Sequence, residues 1–546
     1  MVIMFKAGVS KWLGRGLMLS CFLPGVVMAQ TPDRIFYNGK IVTVDKNFSI
    51  KSAVAIRGDR IVAVGDSASI RKLADRKTVQ TNLNGRTMIP GIIDNHMHFL
   101  RTALLPGVDL RELESAFTIN AALDIIRGSA NVVVQGEWLS ALGGVHWNQF
   151  EEQRFPNLAE LDRAAPNHPV YLSVSNSGPG TVNSRAKAFL ESKGLPVGVD
   201  GKIEQGEHTV RAWRALSVLF DSHDTIKRAT QRQMAFATSV GMTMISDHGG
   251  TIPEGGYLDP ATGFDPFLDL MREGRVPLRI RLFLPIMETE PSLPILRGRL
   301  DNAFRDFGND MVKVIGFGEW LADRKFQTMS PLPEFYENAA KLAAKRGWTY
   351  QQHVINLREI KAHLDVWERV NKETPIAPLR WSLMHLYQMD QESIDRAKAL
   401  GIGLMPHSTQ YYNYNNQPGP MPPFRAIVDS GIRSGGGSDG ARIATMNPWP
   451  MIYYMVTGKN SAGRMINPGQ TLTREESLRM WTANNGWFFR EEDHVGSIEV
   501  GKLADLVVLS NDYLDPKKVP DDAIRKLTSL MTMVGGKVVH NSGPLR

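Results

Sequence analysis

Between residues 90 and 490, short apolar runs alternate with stretches of helical periodicity, and this alternation constrains the fold more than any other feature of the chain. Strand-like runs fall at 169–174, 243–246, 278–284, 311–315, 349–353, 381–385, 403–405 and 432–436, and one more leads into His96 and His98. Segments such as 335–346 separate them with helical spacing, which argues for parallel strands joined by crossover helices. Eight or nine such strands suffice to close a distorted (β/α)8 TIM barrel with long insertions, an α/β fold whose chemistry sits where the strands end. An open doubly wound sheet is the alternative, but no Gly-x-Gly-x-x-Gly follows the first strand. Residues 415–424, rich in Pro and Asn, read as a loop over the barrel mouth.

The flanks read differently. From 33 to 87, β-branched runs are broken by the turn pairs Asn38-Gly39 and Gly58-Asp59, and matching β runs return at 505–510 and 527–540. These pieces are expected to form one composite β-sandwich, built from 30–89 and 490–546 around a barrel at 90–489. Residues 1–29 carry Lys6, Lys11 and Arg15, no acidic residue, a short apolar run and Ala29 before Gln30. That is the pattern of a cleavable signal peptide, and it implies a periplasmic or secreted protein. A membrane anchor is the competing reading, but the apolar run falls short of the roughly 20 residues a span requires. Cys21 is the only cysteine, so a chain cleaved after Ala29 has no disulfide and no thiolate ligand. Losing the three basic residues also takes the formal charge from +7 to +4. With no Lys/Arg block interleaved with aromatics, nucleic-acid binding has no support. A homo-oligomer is compatible with this composition.

His96 and His98 lie one residue apart at the end of the apolar run Met88–Ile93, and positions i and i+2 of a strand share a face. They form a metal half-site. Lys313 stands alone inside an apolar strand, where burial favours its free amine, which can become a carbamate bridging two ions. The alternative pairs it with a carboxylate such as Glu319. His353 and His385 each end a strand-like run, as core histidines also can; as a pair they fit a second metal position. Asp439 follows Gly435–Ser438, where it can ligate a metal and accept a water proton, or simply occupy a turn. Imidazole and carboxylate donors without thiolate suit zinc in a catalytic site.

Taken with Pro90–His98, Val182–Ser184, Gly241–Thr243, Gly437–Asp439 and the closing Gly496–Leu509, this set resembles the amidohydrolase superfamily of metal-dependent hydrolases. Within it, the likeness is to the YtcJ-like branch that includes N-substituted formamide deformylase. The resemblance implies a split β-sandwich on a distorted barrel, with His96 and His98 on one metal and His353 and His385 on a second. Lys313 would be the carboxylated bridge and Asp439 the ligand and general base. One or two Zn2+ per chain, or another divalent ion, would be bound. The expected reaction is hydrolysis of a C–N bond in a small amide, formamide or carbamate. Ester or lactone hydrolysis at the same site, or a non-catalytic binding role, are the rivals. His407 is expected to position the carbonyl, and Trp147, Trp320 and Tyr387 to receive an apolar or aromatic substrate, unless they only pack the loops. Arg442 can meet an anionic group or lie on the surface. Two segments depart from the family: Gly316–Trp320 lacks its Asp-Gly pair, and Ser177–Thr181 lacks its histidine. Both bear on the substrate.

Overall fold

The computed structural model describes residues 31–102, 107–175, 178–219, 223–249, 263–412, 421–441 and 443–545. The expected signal peptide and Arg442 lie outside them. Among the described residues, no helix is long and apolar enough to cross a membrane.

The two flanks share one core. Four strands (Arg60–Gly65, Ala53–Arg57, Arg34–Tyr37 and Val79–Asn82) make one sheet. In the other sheet, Lys40–Val42 and Thr87–Pro90 join Leu506–Leu509, Ser529–Val534 and Lys537–Asn541. The join is direct, since Ile89 pairs antiparallel with Val507 and Met88 with Val508. Phe36, Val54, Met88, Leu506 and Met531 from the two sheets meet in a buried apolar cluster. The hairpin 529–541 turns on Gly535 and Gly536, both at positive φ (53° and 75°), as a two-residue hairpin turn demands. Asn38-Gly39, by contrast, does not close a hairpin. It carries the chain from one sheet to the other, because Arg34–Tyr37 pairs with Ala53–Arg57 and Val79–Asn82 while Lys40–Val42 pairs with Thr87–Pro90.

The barrel has seven regular parallel strands in sequential order: β1 (Ile92–Met97), β2 (Met242–Asp247), β3 (Arg279–Leu284), β4 (Val312–Glu319), β5 (Thr349–Val354), β6 (Ser382–His385) and β7 (Gly403–Pro406). An irregular segment, 433–440, closes it. Leu404 N–H donates to Arg433 O and Gly435 N–H to Leu404 O on the β7 side, while Asn95 donates to Gly436 O and His98 to Gly440 O on the β1 side. The expected strand at 432–436 is thus a run of isolated bridges. The glycines explain how it fits: a Cβ on Gly435 would stand 2.1 Å from Asn485 Oδ1, and one on Gly437 would stand 2.6 Å from Asn95 Oδ1. Crossover helices pack outside. In Glu334–Lys345, Phe335, Tyr336, Ala339, Ala340 and Ala343 form the buried stripe, and Asn356 caps Leu357–Glu373 by accepting from Glu359 N–H. Inside, Ile93, Met244, Phe283 and Ile315 form a plug with Phe489, Val495 and Leu503.

The run at 169–174 is not a barrel strand. Val170–Ser173 is the middle strand of a separate five-stranded sheet, inserted between β1 and the helix His223–Ser239, with apolar clusters of its own. A short run buried on both faces reads alike in either sheet, which is why its spacing misleads. Fully buried Arg111 fastens this insertion. It bonds Asp109 (2.8 Å), Glu114 (2.8 Å) and Leu142 O (2.8 Å), while Glu114 accepts from Asn447 N–H (2.9 Å) and from the Thr445 hydroxyl. Asp439 lies six and eight residues before these two donors, Thr445 and Asn447, in the chain.

Candidate metal centre

Every strand end of the barrel except that of β3 delivers a polar side chain to one buried cluster. β1 supplies His96 and His98, β4 ends in Glu319, β5 carries His353, β6 ends in His385, and His248 and His407 follow β2 and β7 directly. Asp439 comes from the closing segment, held by its N–H on His96 O (2.9 Å). Asp94 ties the same seam, its Oδ1 accepting from the N–H groups of His96 (3.0 Å) and Ser438 (3.2 Å). Burial pushes the Asp94 carboxyl up to about 7. His385 (φ 71°) and Asp439 (φ 54°) occupy the left-handed region, a conformation that non-glycine residues hold where surrounding structure enforces it.

Glu319 is the centre of the arrangement. One carboxylate oxygen lies 3.2 Å from His98 Nε2; the other lies 2.5 Å from His353 Nδ1 and 3.3 Å from His385 Nε2. Asp439 Oδ1 is 3.3 Å from His98 Nε2 and 3.6 Å from His96 Nε2, and its Oδ2 is 3.6 Å from His385 Nδ1. The donor atoms fall into three sets within metal-binding reach: His96, His98 and Glu319; Glu319, His353 and His385; and His96, His385, His407 and Asp439. His98 Nδ1 meets Gly249 O at 2.9 Å, which turns its Nε2 lone pair toward the carboxylates.

These residues fit a divalent cation. Both ring nitrogens of His96, Nε2 of His353, Nε2 of His407 and Nδ1 of His248 are buried without a hydrogen-bond partner among the described residues. Such orphans are costly unless another ligand satisfies them. Burial also drives the imidazoles neutral, as a metal requires: His96 and His353 fall to about 4, and His248 and His407 go well below the usual histidine range. The two carboxylates go the other way. Burial opposes their charge, yet the facing histidines hold Glu319 and Asp439 well below the ordinary carboxylate range.

Of the residues singled out in the sequence, the fold brings together His96, His98, His353, His385, His407 and Asp439. Lys313 lies elsewhere. It sits near the start of β4, six residues and about 20 Å of extended strand before Glu319, and pairs with Glu491 at 3.3 Å. Glu319, rather than the expected Lys313, lies among the clustered histidines. Trp320 stacks on His353 (4.4 Å between ring centroids), and the Tyr387 ring is 6.2 Å from that of His385. Trp147 is outside the cluster. It lines a cavity of about 480 Å3 in the insertion, next to His146, whose ring stacks on Tyr412 beyond β7. Sequence reading missed His248 and gave Glu319 only the part of a lysine's partner. His248 carried a signal in its position just beyond the run 243–246, whereas Glu319 lies four residues past the expected end of its strand at 315.

A barrel with imidazoles and carboxylates gathered at its strand ends, flanked by a split sandwich, defines a metal-dependent hydrolase. The chain belongs to the amidohydrolase family, whose model (Amidohydro_3, "Amidohydrolase family") matches residues 81–540. It is 27% identical to N-substituted formamide deformylase of Arthrobacter pascens, over 93% of this chain and 98% of that protein. It is 24% identical to YtcJ of Bacillus subtilis strain 168, over 93% and 99%. In fold it is similar to a metal-dependent hydrolase of Pyrococcus furiosus, with a TM-score of 0.58 at 17% identity over 88% of this chain and 100% of that one. It is similar also to the atrazine chlorohydrolase of Arthrobacter aurescens TC1 complexed with zinc, at TM-score 0.52 and 15% identity over 93% and 95%.

Proposed function

We propose that this amidohydrolase is an exported, zinc-dependent enzyme that hydrolyses a non-peptide C–N bond of a small molecule, with an N-substituted formamide or a related amide as its substrate class. The observation that carries the reading is Glu319, set between His98 on one side and His353 and His385 on the other. His96, His98 and Asp439 would hold one ion, His353 and His385 a second, and Glu319 would serve both. Zinc suits a donor set of imidazoles and carboxylates without thiolate. When bound, such a cation supplies Lewis acidity toward the carbonyl and makes water acidic enough to attack at neutral pH.

The chain's own groups do the rest. Asp439, kept ionised, accepts the proton of the attacking water and returns it to the departing nitrogen. His407, stacked 4.5 Å from His96 and 3.0 Å from His385 Nδ1, keeps the cluster's imidazoles in place. Half-buried Tyr387 offers ring surface beside His385 to an apolar substituent on the nitrogen, while buried Trp320 backs the His353 ring. The relative that acts on N-substituted formamides supports this class. Export rests on the composition of residues 1–29, and N-terminal sequencing of the secreted or periplasmic form should begin at Gln30.

Elemental mass spectrometry on protein purified without chelator should find about two zinc ions per chain. N-substituted formamides should be cleaved to amine and formate faster than matched esters. Asp439→Asn should lower kcat by about 10^2 to 10^4 with the fold intact. No bound transition metal, even after reloading with zinc, would overturn the reading.

A further inference from the structure

Lys313 belongs to a second polar site, at the opposite end of the barrel from the metal cluster. The apolar plug of Ile93, Met244, Phe283 and Ile315 intervenes. Beneath it, Arg60, Arg279, Arg281, Lys313 and Arg490 border a cavity of about 270 Å3. Three carboxylates also border it, and two are engaged: Glu491 is shared by Arg281 (2.7 Å) and Lys313 (3.3 Å), and Asp306 lies 3.1 Å from Arg305. The third, Asp310, contributes its backbone carbonyl to Arg279 (3.2 Å) and Arg281 (3.1 Å) and leaves its side chain exposed. Arg279 is matched by Asp505 at 2.8 Å.

Arg490 makes no direct ion pair among the described residues, although Asp306 and Glu492 lie close enough to favour its charge. Its Nε reaches Thr349 Oγ1 at 3.3 Å, while Nη2 is buried with no partner among the described residues. Arg380, outside the cavity lining, bonds Glu492 at 2.7 Å and lies over the Trp487 ring at 4.6 Å. Burial, and then the like charges of Arg305 and Arg380, push the Arg490 guanidinium down from its usual range. An unsatisfied guanidinium nitrogen on a residue that borders the cavity is costly to the fold, and an anion there would satisfy the Arg490 donor and offset the repulsion. Lys313, sharing one carboxylate with Arg281, adds a cation without a full counter-charge.

We infer that this basal cavity is a binding site for a small tetrahedral oxyanion of the phosphate class, received by Arg490 together with Lys313 and Arg281. The inference is independent of the metal centre and of the reaction assigned to it. A bound oxyanion would join the segment after Phe489 to the start of β4 and so brace the base of the barrel.

The test is calorimetric titration of inorganic phosphate into the zinc-loaded protein, with chloride balancing ionic strength, alongside melting curves in both salts. One saturable site and a phosphate-dependent rise in Tm are expected. Arg490→Gln should weaken phosphate binding at least tenfold and abolish the rise in Tm, while leaving metal content and basal turnover unchanged. In chloride alone it should melt no lower than the parent, because it removes an unpaired charge. Lys313→Gln should weaken binding without abolishing it. No binding, or phosphate that only inhibits turnover at the metal centre and is indifferent to Arg490→Gln, would overturn the inference.

Discussion

Glu319 and Lys313 lie on the same strand, and only the end of that strand faces the histidines. Glu319→Gln should therefore lower metal content toward one ion per chain and reduce kcat at least a hundredfold, whereas Lys313→Gln should keep both ions and most of the turnover. Rescue of a Lys313 variant by short carboxylic acids is not expected. Elemental analysis and steady-state rates on the two purified variants decide it. The histidines were legible because each closes or follows an apolar run and residues i and i+2 of a strand share a face. The carboxylate was not, since the sequence does not mark where β4 stops. A lysine within an apolar run looks the same whether it points at a metal or, as here, at Glu491.

Among the elements, the insertion and the closing segment were the least legible. Val170–Ser173 has the composition of a barrel strand, and only the antiparallel partner Gly180–Val182 reveals its sheet. Residues 433–440 close the barrel through scattered bridges, and glycines suited to such close approach carry little strand signal. Glu114 ties the insertion to the stretch just after the closing segment, accepting from Thr445 and Asn447 while pairing with Arg111. Glu114→Ala should cost about 3 kcal/mol, because it strips a buried guanidinium of one partner and leaves the Thr445 hydroxyl without its acceptor, while Asn447 N–H retains Thr445 Oγ1 at 2.9 Å. Urea unfolding would read the loss directly. A change under about 0.5 kcal/mol would mean that the insertion is held by its apolar contacts alone.

For the molecule as a whole, the alternation of strand and helix and the β signals on both flanks were sufficient to indicate barrel and sandwich, since each rests on periodicities that burial imposes. Its response to acid follows from histidines buried neutral away from the metal. His363 and His146 are pushed by burial to about 4 from an ordinary value of 6.5. The unfolded chain binds those protons first as pH falls, so stability is lost between about 6.5 and 4. Glu114, raised to about 7 by burial, works the other way by taking up a proton in the folded state. The histidines prevail at the lower end of the window, where Glu114 is already protonated in both states. His363→Gln should flatten that acid loss, measured as the urea midpoint against pH. The composite sandwich bears on the chain's synthesis. Strand Thr87–Pro90 waits for Leu506–Leu509, more than 400 residues later. At about 5–20 residues per second a ribosome needs roughly 20 to 80 seconds to deliver that partner. Throughout that interval the nascent chain carries an open strand edge that a chaperone or an export machine can hold, and any message cut short before Leu506 yields a product that cannot seal itself.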